Sequence, residues 1–94
     1  SGPAYYFAFT EAVVGAAKRL GITQEDAVAM ASQTFIGAAL MVEKSGKELK
    51  TLRENVTSPN GTTAAALASL NESDFAGIVA EAMKAARDRS QELA

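Results

Sequence analysis

Between residues 4 and 20 the only polar side chains are the hydroxyls of Tyr5, Tyr6 and Thr10 and the charges of Glu11, Lys18 and Arg19. Pro3 sits where a helix can begin, because the first turn needs no N–H from it. Lys18 and Arg19 suit the negative end of a helix dipole, and Gly21 suits the left-handed position just beyond it. A helix apolar on nearly every side is normally buried on nearly every side. The chain has 94 residues, enough for one small domain, which buries only about 60–65% of the surface its unfolded form exposes. Hydrophobic residues reach 48%, yet 20 residues are Ala, aromatics are 6% and Trp is absent. Alanine favours helix but supplies little area to bury. Such helices gain most by packing against a second copy, so an oligomer is expected.

The rest of the chain also reads as helix. Thr23 is a good N-cap, with Gln24, Glu25 and Asp26 in the turn that follows. This second helix runs to about Lys44, and Ser45 and Gly46 stop it. Ser32, Gln33 and Thr34 interrupt its apolar run, which is too short to cross a bilayer. Leu49, Leu52 and Val56 recur at spacings that predict a short amphipathic helix. Residues 57–63 form a loop by composition, residues 64–70 a compact helix, and Ser73 an N-cap for the last one. That helix places Phe75, Ile78, Val79, Ala82 and Ala86 on one stripe, with Glu81, Lys84 and Asp88 opposite at ion-pair spacings. No segment alternates like a strand. The expected fold is all-α, a bundle of about five helices.

Cys and His are both absent, which excludes disulfides, thiolate catalysis, imidazole acid–base chemistry and the usual zinc ligands. A net charge of −2 and a pI near 5.0 provide no basic field for nucleic acid or an acidic membrane. Ser1, Gly2 and Pro3 lack the basic start of a secretory signal, and the first residue is not Met. A fragment or processed product, located in the cytoplasm, is expected. Most carboxylates fall on helix ends or polar faces and read as solvated surface. Glu11, on an otherwise apolar helix, needs a partner: either Lys18 on the same face or a group of a second chain.

The loop at 57–63 carries hydroxyls at Thr57, Ser58, Thr62 and Thr63 beside Pro59 and Gly61, and it feeds directly into a helix. Gly61 lets backbone N–H groups approach a ligand closely. The first amides of the following helix lack intrahelical acceptors and carry partial positive charge. Together they suit a small anion such as a carboxylate. Ordinary turn-and-cap chemistry, with Thr62 or Thr63 as the cap and nothing bound, explains the same residues.

At this loop the sequence resembles the signature of pyrroline-5-carboxylate reductases. The resemblance rests on Leu49, Leu52, Val56-Thr57-Ser58, Asn60-Gly61-Thr62-Thr63, Ala66-Leu67 and Leu70-Asn71. Ser1-Gly2-Pro3-Ala4-Tyr5, Gln33-Thr34 with Gly37-Ala38, and Arg89-Ser90 with Glu92-Leu93 are similar to further family positions, so the likeness covers essentially the whole chain. Asn60 replaces the first of two glycines usual in the family's loop, and Asn tolerates the left-handed region better than most residues. Leu49 stands where many members have Pro.

The resemblance implies an oxidoreductase that reduces 1-pyrroline-5-carboxylate to L-proline with NADPH or NADH, the last step of proline biosynthesis. Residues 1–94 would then be its helical dimerisation and substrate-binding domain. The cofactor would be bound mainly by an N-terminal Rossmann-type domain outside this chain, in which no G-x-G-x-x-G follows a strand. The resemblance also implies a homodimer of interlaced helices, with a decamer as a pentamer of dimers. In the loop it implies that Ser58 and the backbone N–H groups of Gly61, Thr62 and Thr63 hold the substrate carboxylate. The Thr63 hydroxyl, implied as the catalytic group, would face the ring nitrogen. A Thr hydroxyl is too weak an acid to protonate that nitrogen unaided, so its implied role is to orient the ring and relay a proton from water. The fragment alone would be inactive. A non-catalytic helical oligomerisation or interaction module explains the Ala-rich helices equally well, but leaves the composition of the loop a coincidence. The helical domain of another reductase or of a 3-hydroxyacid dehydrogenase is a further alternative, against which residues 57–63 argue.

Overall fold

The computed structural model describes all 94 residues and contains five helices and no strand. They are α1 (Gly2–Arg19), α2 (Gln24–Ser45), α3 (Leu49–Asn55), α4 (Thr62–Glu72) and α5 (Phe75–Leu93). The chain divides into two compact units, Ser1–Leu52 and Arg53–Ala94.

In the first unit α1 packs on α2. Pro3 lies in the first turn of α1, as its missing N–H predicts. The helix ends in a Schellman motif: Gly21 at φ 98° donates to the Lys18 carbonyl at 3.0 Å, and the Ile22 N–H reaches back to Ala17 at 3.1 Å. Two residues later Thr23 caps α2, its Oγ1 accepting from the Asp26 N–H at 3.2 Å. The only buried residues are Ala27 and Ala31, one turn apart on α2, 2% and 8% exposed. Their small size is what lets two helices approach closely. The Phe35 ring lies parallel to Tyr6 (centroids 6.3 Å apart, 8° between planes) and meets Phe7 edge-on at 6.4 Å. Thr10 and Thr34 donate their hydroxyls to the carbonyls of Tyr6 and Met30, each at 2.8 Å, so these polar interruptions are satisfied inside their own helices.

In the second unit α4 packs on α5. The cap of α5 is Asp74, not Ser73: Asp74 sits in the left-handed region at φ 58° and accepts from the Gly77 N–H at 3.3 Å. Ser73 instead closes the C-terminus of α4. Of the ion pairs expected on α5, Lys84–Asp88 forms at 3.1 Å, and Arg87 joins the same carboxylate at 3.2 Å. Glu81 takes no part.

The apolar faces are largely uncovered within the chain. No residue of α1 is fully buried, and Phe7 is 60% exposed, as is Ile78 on α5 at 58%. Glu11 differs from expectation: it is exposed, and no ion pair joins it to Lys18. Residues seven apart share a helix face but lie about 10.5 Å apart along its axis, too far for an easy pair. No helix is long and apolar enough to cross a membrane.

Candidate functional site at the α3–α4 turn

The loop is held at both ends by its own chain. Thr57 closes α3, its Oγ1 donating to the Arg53 carbonyl at 2.6 Å and its N–H to the Glu54 carbonyl at 3.1 Å. That hydroxyl is therefore spent on structure. Ser58-Pro59-Asn60-Gly61 then forms a β-turn closed by the Gly61 N–H on the Ser58 carbonyl at 3.1 Å. Asn60 takes φ 61°, the positive value that the third residue of a type II turn requires, with Pro at the second. The left-handed tolerance expected of Asn60 is thus used.

Gly61 is needed for a reason other than dihedral freedom. Its φ of −86° and ψ of −177° suit any residue. A Cβ there would instead stand 2.5 Å from Ser58 Oγ and 3.2 Å from the Ser58 carbonyl oxygen. Only a glycine lets the Ser58 hydroxyl lie this close to the backbone that leads into α4.

Helix α4 begins at Thr62, two residues earlier than the composition suggested, and Gly61 is its N-cap with no side-chain cap bond. Neither Thr62 nor Thr63 caps the helix, so the turn-and-cap explanation for these two hydroxyls does not hold. The first chain-internal bond at this end is from the Ala65 N–H to the Gly61 carbonyl, 3.2 Å. The amides of Thr62, Thr63 and Ala64 therefore have no acceptor within the chain, and they carry the positive end of the helix dipole. The Gly61 amide, by contrast, is already committed to Ser58.

The structure thus brings Ser58 and Gly61 into contact and sets Thr62 and Thr63 in the turn that follows. Ser58 and Thr62 are exposed and Thr63 is half-buried; none of their hydroxyls has a partner in the chain. What results is a set of donors close together in the chain: three amides at the start of α4 and the hydroxyls of Ser58, Thr62 and Thr63. Such a set of donors at a helix N-terminus suits a compact anion. Sequence reasoning missed that Thr57 is structural, a role its place immediately after a helix end could have signalled. The grooves on α1 and α2 include no residue of this loop.

A family model described as pyrroline-5-carboxylate reductase dimerisation matches residues 1–93. The chain is 46% identical over 94 residues to a pyrroline-5-carboxylate reductase of Pseudomonas aeruginosa, covering all of this chain and 34% of that protein. It is 44% identical to the enzyme of that name from Arabidopsis thaliana, covering 99% and 34% respectively. Among solved structures, a pyrroline-5-carboxylate reductase from Coxiella burnetii matches with a TM-score of 0.95 and 40% identity, covering 100% of this chain and 35% of that one. The NADP-bound pyrroline carboxylate reductase of Plasmodium falciparum matches with a TM-score of 0.90 and 36% identity, covering 95% and 34%. The chain spans about a third of the length of the relatives it matches.

Proposed function

The chain belongs to the pyrroline-5-carboxylate reductase dimerisation family, and on that footing we propose that it is the helical, substrate-binding part of an enzyme that reduces 1-pyrroline-5-carboxylate to L-proline with NAD(P)H. The observation that carries this reading is the donor array at the start of α4. Three amides without acceptors and an unpartnered Ser58 hydroxyl match the needs of a single carboxylate.

The role of these residues is positioning. The amides of Thr62, Thr63 and Ala64, with Ser58 Oγ, hold the carboxylate, and the Thr63 hydroxyl fixes the ring nitrogen. One face of the ring is then presented to the hydride. The hydride adds to the carbon of the protonated C=N bond, the bonding pair passes to nitrogen, and a secondary amine results. Thr63 orients that nitrogen and relays a proton from water. NAD(P)H would supply the hydride, and the strand followed by G-x-G-x-x-G that would hold it is not among these helices. Its site belongs to a dinucleotide-binding domain outside the matched third.

The same reading includes a homodimer. The chain exposes 7642 Å², whereas two separate globules that share its 9.8 kDa expose roughly 6,200 Å². The surplus of about 1,400 Å² per chain is within what each partner of an obligate dimer covers. Because Thr10 and Thr34 bond inside their helices, covering those faces strands no hydroxyl. A further assembly into a decamer, a pentamer of dimers, and a cytoplasmic location complete the proposal; neither nucleic acid nor a membrane is among the partners.

Thr63 provides the test. In the intact reductase carrying this sequence, Thr63→Ala lowers kcat/KM by on the order of 10²–10³. The melting temperature stays nearly constant, because Gly61 and not Thr63 occupies the cap. Thr63→Ser retains the hydroxyl and recovers much of the rate. Near-normal turnover by the Ala variant removes Thr63 from the site. A wild-type protein that cannot oxidise NAD(P)H with pyrroline-5-carboxylate overturns the reductase reading itself.

A further inference from the structure

Asparagine occurs at three positions in this chain, 55, 60 and 71, in unlike surroundings. Asn55 ends α3 and is followed by Val56, and Asn71 lies in the last turn of α4 ahead of Glu72. Asn60 alone is followed by glycine, and it is exposed in a turn outside every helix. The backbone nitrogen after an asparagine can attack its side-chain carbonyl, because the product is an unstrained five-membered ring. A side chain on that next residue hinders the approach, and glycine has none. A helix also opposes it by fixing the dihedrals and holding the amides in hydrogen bonds. At Asn60 both obstacles are missing. The restraint that remains is the bond from the Gly61 N–H to the Ser58 carbonyl at 3.1 Å, whose proton must leave before the nitrogen attacks. Opening the turn also relieves the left-handed backbone of Asn60, at φ 61°.

We propose that Asn60 is a site of spontaneous deamidation, a chemical clock set in the turn that leads to the α4 amides. Base removes the Gly61 amide proton, and the nitrogen's electron pair forms a bond to Asn60 Cγ. The Cγ–Nδ2 bond then breaks, and the departing nitrogen takes a proton from water and leaves as ammonia. One water opens the resulting succinimide at either carbonyl. Cleavage at Cγ leaves Asp at position 60; cleavage at the main-chain carbonyl leaves isoaspartate, in which the chain runs through Cβ and Cγ. No oxidant or cofactor is needed. Both products alter the turn. Aspartate brings a negative charge ahead of amides that suit an anion. Isoaspartate lengthens the main chain between Pro59 and Gly61, so the ring closed by the Gly61 N–H on Ser58 changes size. The consequence for binding rests on the carboxylate reading above, whereas the conversion rests only on the turn.

The test ages the intact reductase carrying this sequence at mildly alkaline pH. Samples taken over days are read by peptide mass spectrometry and by KM for pyrroline-5-carboxylate. The carboxamide at position 60 is lost while those at 55 and 71 persist, and the loss quickens as pH rises. KM climbs in step, by about tenfold or more at full conversion. Asn60→Gly has no carboxamide to lose, and its KM holds steady through the same incubation. Freshly made Asn60→Asp starts with the raised KM. An Asn60 that survives as long as Asn55 and Asn71 overturns the proposal and leaves the substrate reading standing. Conversion without a change in KM, or an equal drift in Asn60→Gly, overturns the link between this turn's chemistry and binding. A fresh enzyme that cannot reduce pyrroline-5-carboxylate overturns the substrate reading, and the peptide masses from the same samples still decide the deamidation.

Discussion

Substituting Gly61→Ala separates the structural and ligand-holding roles of the turn. Alanine is allowed at φ −86° and ψ −177°, so no forbidden dihedral is forced. The cost comes from contact: the methyl would lie 2.5 Å from Ser58 Oγ, 3.2 Å from its carbonyl oxygen and 3.7 Å from its Cβ. The hydroxyl ends an exposed, rotatable side chain and swings aside, while the carbonyl shifts by a few tenths of an ångström. Displacing that rotamer costs about 0.5–1.5 kcal/mol. Replacing a glycine N-cap by alanine adds about 0.5–1 kcal/mol. The expected loss of about 1–2.5 kcal/mol lowers the melting temperature by several degrees, read by calorimetry. The effect on substrate binding is larger in proportion. A hydrogen bond to a charged group is worth about 1.5–3 kcal/mol, so losing the Ser58 contact raises KM for pyrroline-5-carboxylate by about 10–100-fold with a smaller change in kcat. The double variant Ser58→Ala/Gly61→Ala removes the colliding oxygen and regains most of the stability lost to that contact, but not the affinity. A single variant with wild-type KM, or a double variant that regains affinity, refutes the Ser58 hydroxyl beside Gly61 as a basis of binding.

Asn60 holds φ 61°, so Asn60→Val destabilises the turn by about 1–2 kcal/mol while Asn60→Gly is tolerated, as chemical denaturation of the two variants checks. Asp74 combines a left-handed backbone with a cap bond to Gly77, so Asp74→Ala costs about 1–3 kcal/mol in the same assay and Asp74→Asn far less. Lys84 forms an exposed pair with Asp88, so Lys84→Ala changes stability by no more than about 0.5 kcal/mol, a change that shrinks as salt is added.

Where local chemistry alone decides an element's end, the residues announce it. Lys18, Arg19 and Gly21 mark the close of α1, and Thr23 marks the start of α2, because each acts through bonds to its immediate neighbours. The boundary of α5 was legible only to within one residue. Ser73 and Asp74 are adjacent cap formers ahead of the same apolar stripe, and the choice turns on which oxygen reaches the Gly77 amide. The start of α4 was read late because Thr62 and Thr63 look like caps, whereas packing of Ser58 against Gly61 gives that position to the glycine. For the site, the residue types at 58–63 were legible; which amides remain free was not, because it depends on the Gly61 N–H turning back to Ser58. The apolar sequence around Glu11 predicts burial, yet no element of its own chain covers it.

The central claim, that the start of α4 with Ser58 holds the substrate carboxylate, is tested most directly by a crystal structure of the intact reductase carrying this sequence with bound L-proline. The account predicts the carboxylate within hydrogen-bond distance of the Thr62, Thr63 and Ala64 amides and of Ser58 Oγ, with the ring nitrogen facing the Thr63 hydroxyl. Proline seated elsewhere, its carboxylate on other residues and these three amides bonded only to water, contradicts it.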